Sequence, residues 1–479
     1  MAAGLEEKSI SNKIFKHCVL INIDGCRRDL LYEMIDSGEL PVFGRLFGHG
    51  LRFTNATTVF PTITFAAQAS GITGAYPANH GILSNMWMDR GKTDPPIYNY
   101  TDNFFHAADV YGYSLIGLPR IFFSNTNKPG LADRHLSKEI ETIYQSAGRK
   151  NMRSVVAFHQ FARGAEKRIR PKPLDMIRYF FGNIFPGQFS VFDESMTVRL
   201  INEMKKNDPP EILFIYFAPS DGAGHWWGAD GQRWYLSHIV EDKLERITDL
   251  LKKKSVMETT LFVLFSDHGH SDVAQDQEHC ISLKWISDII RKSSKYTKIS
   301  TRKSVGNDVV IGMEGGMAGL YLKDTPNGSW KDFPPPENLS PICRGFSGHL
   351  GNRLGAIVYR NSEDGKFALY PGENPMDIDL EETVRKINRE YIHPGAPDIM
   401  IFSNYNKGYH FFKKPINAMH GNINPGDMAI PLIFAGNGIK KGQSNKPISI
   451  VDIAPTVASL MDFEMENVDG DVIERGGLE

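Results

Sequence analysis

CVLINIDG, residues 18–25, is a short apolar run that stops at an Asp-Gly pair. It reads as a strand buried on both faces that feeds a loop at Asp24 and Gly25. The pattern recurs down the chain. Residues 212–217 (ILFIYF) run towards Asp221 and His225, and residues 260–265 (TLFVLF) run towards Asp267 and His268. Helical spacing appears over residues 29–35, over 65–73 (FAAQASGIT) directly after Thr64, and as a long amphipathic stretch at 233–254. Residues 51–59 read as another strand, and the last third holds strands at 398–402 (DIMIF) and 430–435 (IPLIFA), with a closing helix over 451–461. Strands alternating with helices predict an α/β fold, with a mostly parallel central sheet flanked by helices on both faces. A single domain over residues 15–465 is expected. Residues 94–189 and 291–370 break the alternation, are rich in aromatic, Pro, Gly and basic residues, and are expected to be insertions capping the site.

Ligands in such sheets collect beyond the carboxyl ends of the strands. Seven positions belong there: Asp24, Thr64, Asp221, His225, Asp267, His268 and His420. Each sits at or just after an apolar run, next to a turn with Gly or Pro. Three carboxylates, three histidines and a hydroxyl suit two borderline cations such as zinc, with other divalent metals possible. Two metals about 4 Å apart can clamp both oxygens of an in-line displacement at phosphorus. Taken singly, each residue has a plainer reading. Thr64 would be a helix N-cap, Asp24 and Asn85 turn residues, and His420 one histidine before a glycine. In DGAGH, residues 221–225, small residues let the backbone wrap around an ion. It is the full set that points to one site.

Composition bounds the rest. The 479 residues carry a net charge of −2, with 41% hydrophobic and 23% charged residues, so no overall basic field favours nucleic acid. Cys18, Cys26, Cys280 and Cys343 form no CxxC pair and fit a reducing compartment or buried thiols. The first 17 residues lack an apolar signal-peptide core, and no run of 18 apolar residues occurs. The expectation is a cytoplasmic protein without a membrane span or a nucleic-acid-binding domain.

The motifs together resemble the alkaline phosphatase superfamily, and most closely its nucleotide pyrophosphatase/phosphodiesterase branch. The residues that carry this are Asp24-Gly25, PTITF with Thr64, TGAYPANHGI followed by Asn85, DGAGH, SDHG, His420-Gly421, and the closing IVDIAPTVASLM. The resemblance implies a hydrolase for a small-molecule phosphoester that acts through a phosphothreonine at Thr64. One zinc would be held by Asp221, His225 and His420. The other would be held by Asp24, Asp267 and His268, with Thr64 completing it. Asn85 and the Thr64 backbone N–H would hold a phosphoryl oxygen, and Phe65 would line the substrate pocket. The alternatives are a phosphomonoesterase or phosphonate hydrolase on the same site, or a non-catalytic phosphate-ligand binding protein.

The chain departs from the branch at three places. Ala67-Gln68 stands where an Asn-His pair is usual, and Cys26 gives DGCR in place of DGFR. Phe161 stands where some monoesterase relatives place a Lys, with Arg163 as the match for their Arg and so the candidate substrate cation. Trp226 and Trp227 read as pocket walls or as core or rim, residues 163–172 (RGAEKRIRPK) as a solvated surface loop more than a contact for a phosphate or anionic partner, and His270 and His279 as groups that could orient ligands or as satisfied surface or core histidines.

Overall fold

The computed structural model describes residues 15–101, 130–170, 175 and 189–473. Its main sheet is built from β1 (His17–Ile23), β2 (Leu51–Phe53), β3 (Ser154–Ala157), β4 (Lys167–Ile169), β5 (Ile212–Phe217) and β6 (Thr260–Phe265). A second sheet takes β7 (Ile299–Ser300), β8 (Val309–Glu314), β9 (Met317–Leu322), β10 (Leu354–Arg360), β11 (Phe367–Leu369) and β12 (Ile399–Ser403). The main sheet is completed by β13 (Leu432–Ala435) and β14 (Gly442–Ser444). Its order is β14-β2-β13-β6-β1-β5-β3-β4. All pairings are parallel except those of β13 with β2 and β6. The flanking helices include α1 (Arg28–Asp36), α2 (Thr64–Thr73), α3 (Phe189–Lys206), α4 (Pro219–Tyr235), α5 (Glu241–Lys253) and α6 (Ile453–Leu460). No described helix is long and apolar enough to cross a membrane.

β1, β5 and β6 have nearly unbroken apolar sequences because both faces of the sheet are covered. Central β1 lies between β5 and β6, so the three chains arrive at one edge together. Several expected boundaries move. Only Leu51–Phe53 of the 51–59 stretch joins the main sheet; Ala56–Thr57 pairs instead with Ile448–Ser449. The helix expected from 233 already begins at Pro219 and continues through a π-turn, Leu236–Val240, into α5.

The segments expected as insertions contain strands. Ser154–Ala157 and Lys167–Ile169 are strands of the main sheet, too short to register as a repeat of the alternation. Residues 102–129, 171–174 and 176–188 of the first expected cap lie outside the described residues, as do residues 1–14. The second expected cap is most of a six-stranded sheet, in order β7-β8-β9-β12-β10-β11, with its own apolar cluster around Ile286, Leu320, Ile342 and Ile401. Residues 398–402, read as part of the main alternation, lie in this second sheet as β12. Its β8–β9 turn reaches the site. Gly316 N donates to the His420 carbonyl, and a Cβ on Gly315 would come within 2.4 Å of that oxygen.

Candidate active site and metal centre

The strand ends deliver the ligand candidates. Asp24 follows β1, with Gly25 at φ +59°. Asp267 and His268 follow β6. Asp221 and His225 lie in the first turns of α4, where the i,i+4 spacing puts them on one face. Thr64 is the first residue of α2. His420 follows Ala418–Met419, a two-residue strand paired with Ser271–Asp272, and that pairing ties His420 to the SDHG loop.

The side chains converge. Donor atoms of Asp24, Asp267 and His268 lie within 4.8 Å of one another, and so do those of Asp221, His268, His270 and His420. His225 Nε2 is 3.3 Å from Asp221 Oδ2, and Thr64 Oγ1 is 3.2 Å from His268 Nε2.

Ring-nitrogen partners decide what these histidines can do. His225 Nδ1 donates to the Ala418 carbonyl at 2.8 Å, His420 Nδ1 to Thr62 at 2.9 Å, and His268 Nδ1 to Gly269 at 3.0 Å. A carbonyl only accepts, so in each ring Nδ1 holds a proton, and in the neutral ring Nε2 is then the nitrogen with the lone pair. Those lone pairs face carboxylates. His420 Nε2 is 3.6 Å from Asp221 Oδ1, and His268 Nε2 is 3.5 Å from Asp24 Oδ1 and 3.9 Å from Asp267 Oδ2. Lone pairs aimed at lone pairs, with Asp24 Oδ1 and Asp221 Oδ1 buried and without hydrogen bonds, repel unless protons or cations lie between them. The donor set therefore fits divalent metal.

The charge balance agrees. Burial pushes the Asp24 carboxyl well up, and the nearby Asp267 and Asp221 charges push it further. Among the described residues, no Lys or Arg forms an ion pair with Asp24, Asp221 or Asp267. Burial, and then the neighbouring His268, hold His420 well below the usual imidazole range, which keeps it neutral and able to ligate.

A surrounding layer fixes the carboxylates. The Tyr216 hydroxyl donates to Asp24, and Gln68 Nε2 donates to Asp267 Oδ2 at 2.9 Å. Asp267 Oδ1 accepts from Gly25 N–H and His268 N–H, each at 3.1 Å. Gln68 and Tyr216 were not singled out from the sequence as site residues. Gln68 lies one helical turn beyond Thr64, and helical spacing could have found it. Tyr216 is the penultimate residue of β5, one place from its partner's ligand-bearing end.

The expected substrate contacts separate. Phe65 N–H donates to Asn85 Oδ1 at 3.3 Å, which leaves the Asn85 amide nitrogen for another partner. Phe65 is only 5% exposed, stacked on Tyr100 at 4.5 Å with Phe161 edge-on at 6.1 Å. Arg163 is diverted. Its guanidinium donates to Gln145 Oε1 and to the carbonyls of Leu136, Ser137 and Ile140, so its charge braces that loop. Trp226 and Trp227 are 42% and 37% exposed, not core. His279 pairs with Asp276 at 2.8 Å and is outside the cluster.

The chain is similar to known phosphodiesterases and phosphatases. The family model for type I phosphodiesterase/nucleotide pyrophosphatase matches residues 18–420. Ectonucleotide pyrophosphatase/phosphodiesterase 2 of Saccharomyces cerevisiae is 27% identical over 278 residues, 55% of this chain and 49% of the relative. The chain thus spans about half the length of that relative. Alkaline phosphatase PafA of Elizabethkingia meningoseptica is 22% identical over 92% of this chain and 90% of its own. In fold, murine ectonucleotide pyrophosphatase/phosphodiesterase 5 superposes with a TM-score of 0.61 at 15% identity, covering 95% of this chain and 97% of that one. Wild-type PafA gives 0.64 at 18% identity, covering 97% and 99%. With its ligand candidates gathered at the carboxyl edge of an alkaline-phosphatase-like sheet, the chain belongs to the type I phosphodiesterase/nucleotide pyrophosphatase family of the alkaline phosphatase superfamily.

Proposed function

We propose that the chain is a two-metal phosphoester hydrolase of the phosphodiesterase type that works through a phosphothreonine at Thr64. The observation that carries this reading is the approach of Thr64 Oγ1 to His268 Nε2, at 3.2 Å, beside carboxylates that lack a counter-charge. Asp221, His225 and His420 would hold one cation, and Asp24, Asp267, His268 and Thr64 the other. Two zinc ions there would supply Lewis-acid charge at the phosphoryl oxygens and lower the pKa of the threonine hydroxyl.

The protein's own groups do the rest. Thr64 sits at the positive end of α2, where an oxyanion is favoured. Its Oγ1 attacks phosphorus in line, the bond from phosphorus to the leaving oxygen breaks, and that oxygen takes up a proton. Water then attacks the phosphothreonine, the bond to Oγ1 breaks, and Thr64 regains its proton. Asn85 has its Oδ1 committed to Phe65 N–H, so its amide nitrogen can donate to a phosphoryl oxygen along with the Thr64 backbone N–H.

A diester is favoured over a monoester. A monoester carries more negative charge at phosphorus and needs a cation beyond the metals. Phe161 is neutral and buried against Phe65, and the Arg163 guanidinium is spent on carbonyls. The monoesterase reading draws its support from the similarity to PafA over nearly the whole chain. An aryl methyl phosphate, the matching aryl phosphate and the aryl sulfate separate the two. The expected result is a higher kcat/KM for the diester. A strong monoester preference that disappears in Arg163→Ala would establish the alternative.

A further inference from the structure

Three of the four histidines in the cluster turn Nδ1 to a carbonyl; His270 does the reverse. Its neighbour is Gln232, buried near the end of α4. Gln232 Nε2 donates to the Gly25 carbonyl at 2.6 Å, and its Oε1 accepts from Arg27 N–H at 3.4 Å. These two backbone groups fix which end of the amide is nitrogen. The same Nε2 lies 3.1 Å from His270 Nδ1 and has a second hydrogen to give. Nδ1 of His270 therefore accepts, and its proton sits on Nε2.

An Nε2 that carries a proton has no lone pair for a metal. It lies 3.0 Å from Asp221 Oδ1, and neither atom has another hydrogen-bond partner. The two are at hydrogen-bond distance but not in line for a full hydrogen bond. We propose that His270 is a positioning residue, not a ligand: Gln232 sets its tautomer, and its Nε2–H holds Asp221 Oδ1 while the opposite oxygen faces His225. This rests on Asp221 being a metal ligand, as the proposed function has it. Two glycines make room for the relay. A Cβ on Gly224 would fall 2.2 Å from His270 Nδ1 and 2.8 Å from Gln232 Nε2, and one on Gly25 3.2 Å from His270 Cε1. The second glycine of DGAGH thus has a steric reason.

The test uses the zinc-loaded protein. Nitrogen-resolved NMR of its histidine rings should show His270 protonated at Nε2 and unprotonated at Nδ1. Zinc affinity, by competition with a chelator, should fall about 10- to 100-fold at one site in His270→Leu, as is typical when a group that orients a ligand is lost. His270→Gln, whose amide hydrogen reaches the same oxygen, should recover most of that affinity, which a merely space-filling residue would not do. Proton on Nδ1 with Nε2 bonded to metal, or wild-type affinity in His270→Leu, overturns the proposal. If the wild type itself fails to bind two metals, the two-metal reading falls first and the role of His270 falls with it. The NMR measurement stands even where His270→Leu does not fold.

Discussion

Thr64 combines two jobs in one oxygen, so its substitutions separate them. Thr64→Ala removes the attacking group and a metal ligand together and should lower kcat by about three orders of magnitude or more. Thr64→Ser keeps the oxygen, loses only a methyl group and should retain much of the activity. Metal content has to be measured in both, because lost zinc would give the same phenotype for another reason. Wild-type-like turnover by Thr64→Ala with both metals bound would mean that water attacks phosphorus directly. A second residue prediction concerns Gly224. Gly224→Ala forces a methyl group into the His270–Gln232 contact; overpacking of this kind costs about 1–3 kcal/mol. The variant should melt at a lower temperature and bind zinc more weakly, and an unchanged melting curve would show that the pocket has slack.

At this scale the sequence was informative for a physical reason. Asp24, Asp267 and His268 sit where buried strands end, and apolar runs mark those ends. The assignment of His270 could not be read the same way. It depends on an amide 38 residues upstream, in another element, whose orientation is set by the backbone at Gly25 and Arg27. The surroundings of Arg163 are hidden in the same way, because the carbonyls that take up its guanidinium lie 23 to 27 residues upstream, around Leu136, Ser137 and Ile140.

Among the elements, α4 differs most from its sequence. The two glycines that follow Asp221 resemble a loop, yet Pro219 at the first turn starts a helix there, and Gly228 at φ +64° carries the kink that follows the two tryptophans. The far end of α4 is tied to α3. The Tyr235 hydroxyl donates to Asp193, which is fully buried. Burial pushes the Asp193 carboxyl up to about 7, against the opposing pull of Tyr235 and Lys243. The folded protein therefore holds a proton that the unfolded chain has already released. Stability from this group is full below the ordinary carboxylate range, about pH 4, and is lost as pH rises towards 7. Asp193→Asn should stabilise the protein progressively more, relative to wild type, from pH 5 to pH 8. Thermal melts at the two pH values check this, and an equal difference at both would show that Asp193 is not the titrating group.

The whole molecule joins two sheets at the metal cluster. The strands of the main sheet bring Asp24, Asp221, Asp267 and His268 to one edge, while the β8–β9 turn of the second sheet grips the backbone of His420. The centre of the main sheet is legible because β1, β5 and β6 are apolar and followed by chemistry, whereas the short β3, β4 and β14 leave no such mark. Most of the second reads as an insertion because its strands carry no ligand candidate, although β12 reads as part of the main alternation. Cations between the carboxylates would therefore hold the two sheets together as well as serve the reaction. Binding to the folded state alone stabilises by RT ln(1 + [L]/Kd), about 2.7 kcal/mol at a hundredfold excess over Kd. Strong chelation should abolish turnover and also lower the melting temperature by a few degrees, and two equivalents of zinc per chain should restore both. Without metal, amide exchange should speed up around His420 and in the β8–β9 turn, while the buried centre of β1 stays protected, because its neighbours β5 and β6 do not need the cations to pair. Exchange that quickens only in the SDHG loop would confine the metals' structural role to the main sheet. An unchanged melting curve, with full activity in chelator, would remove the metals from the account altogether.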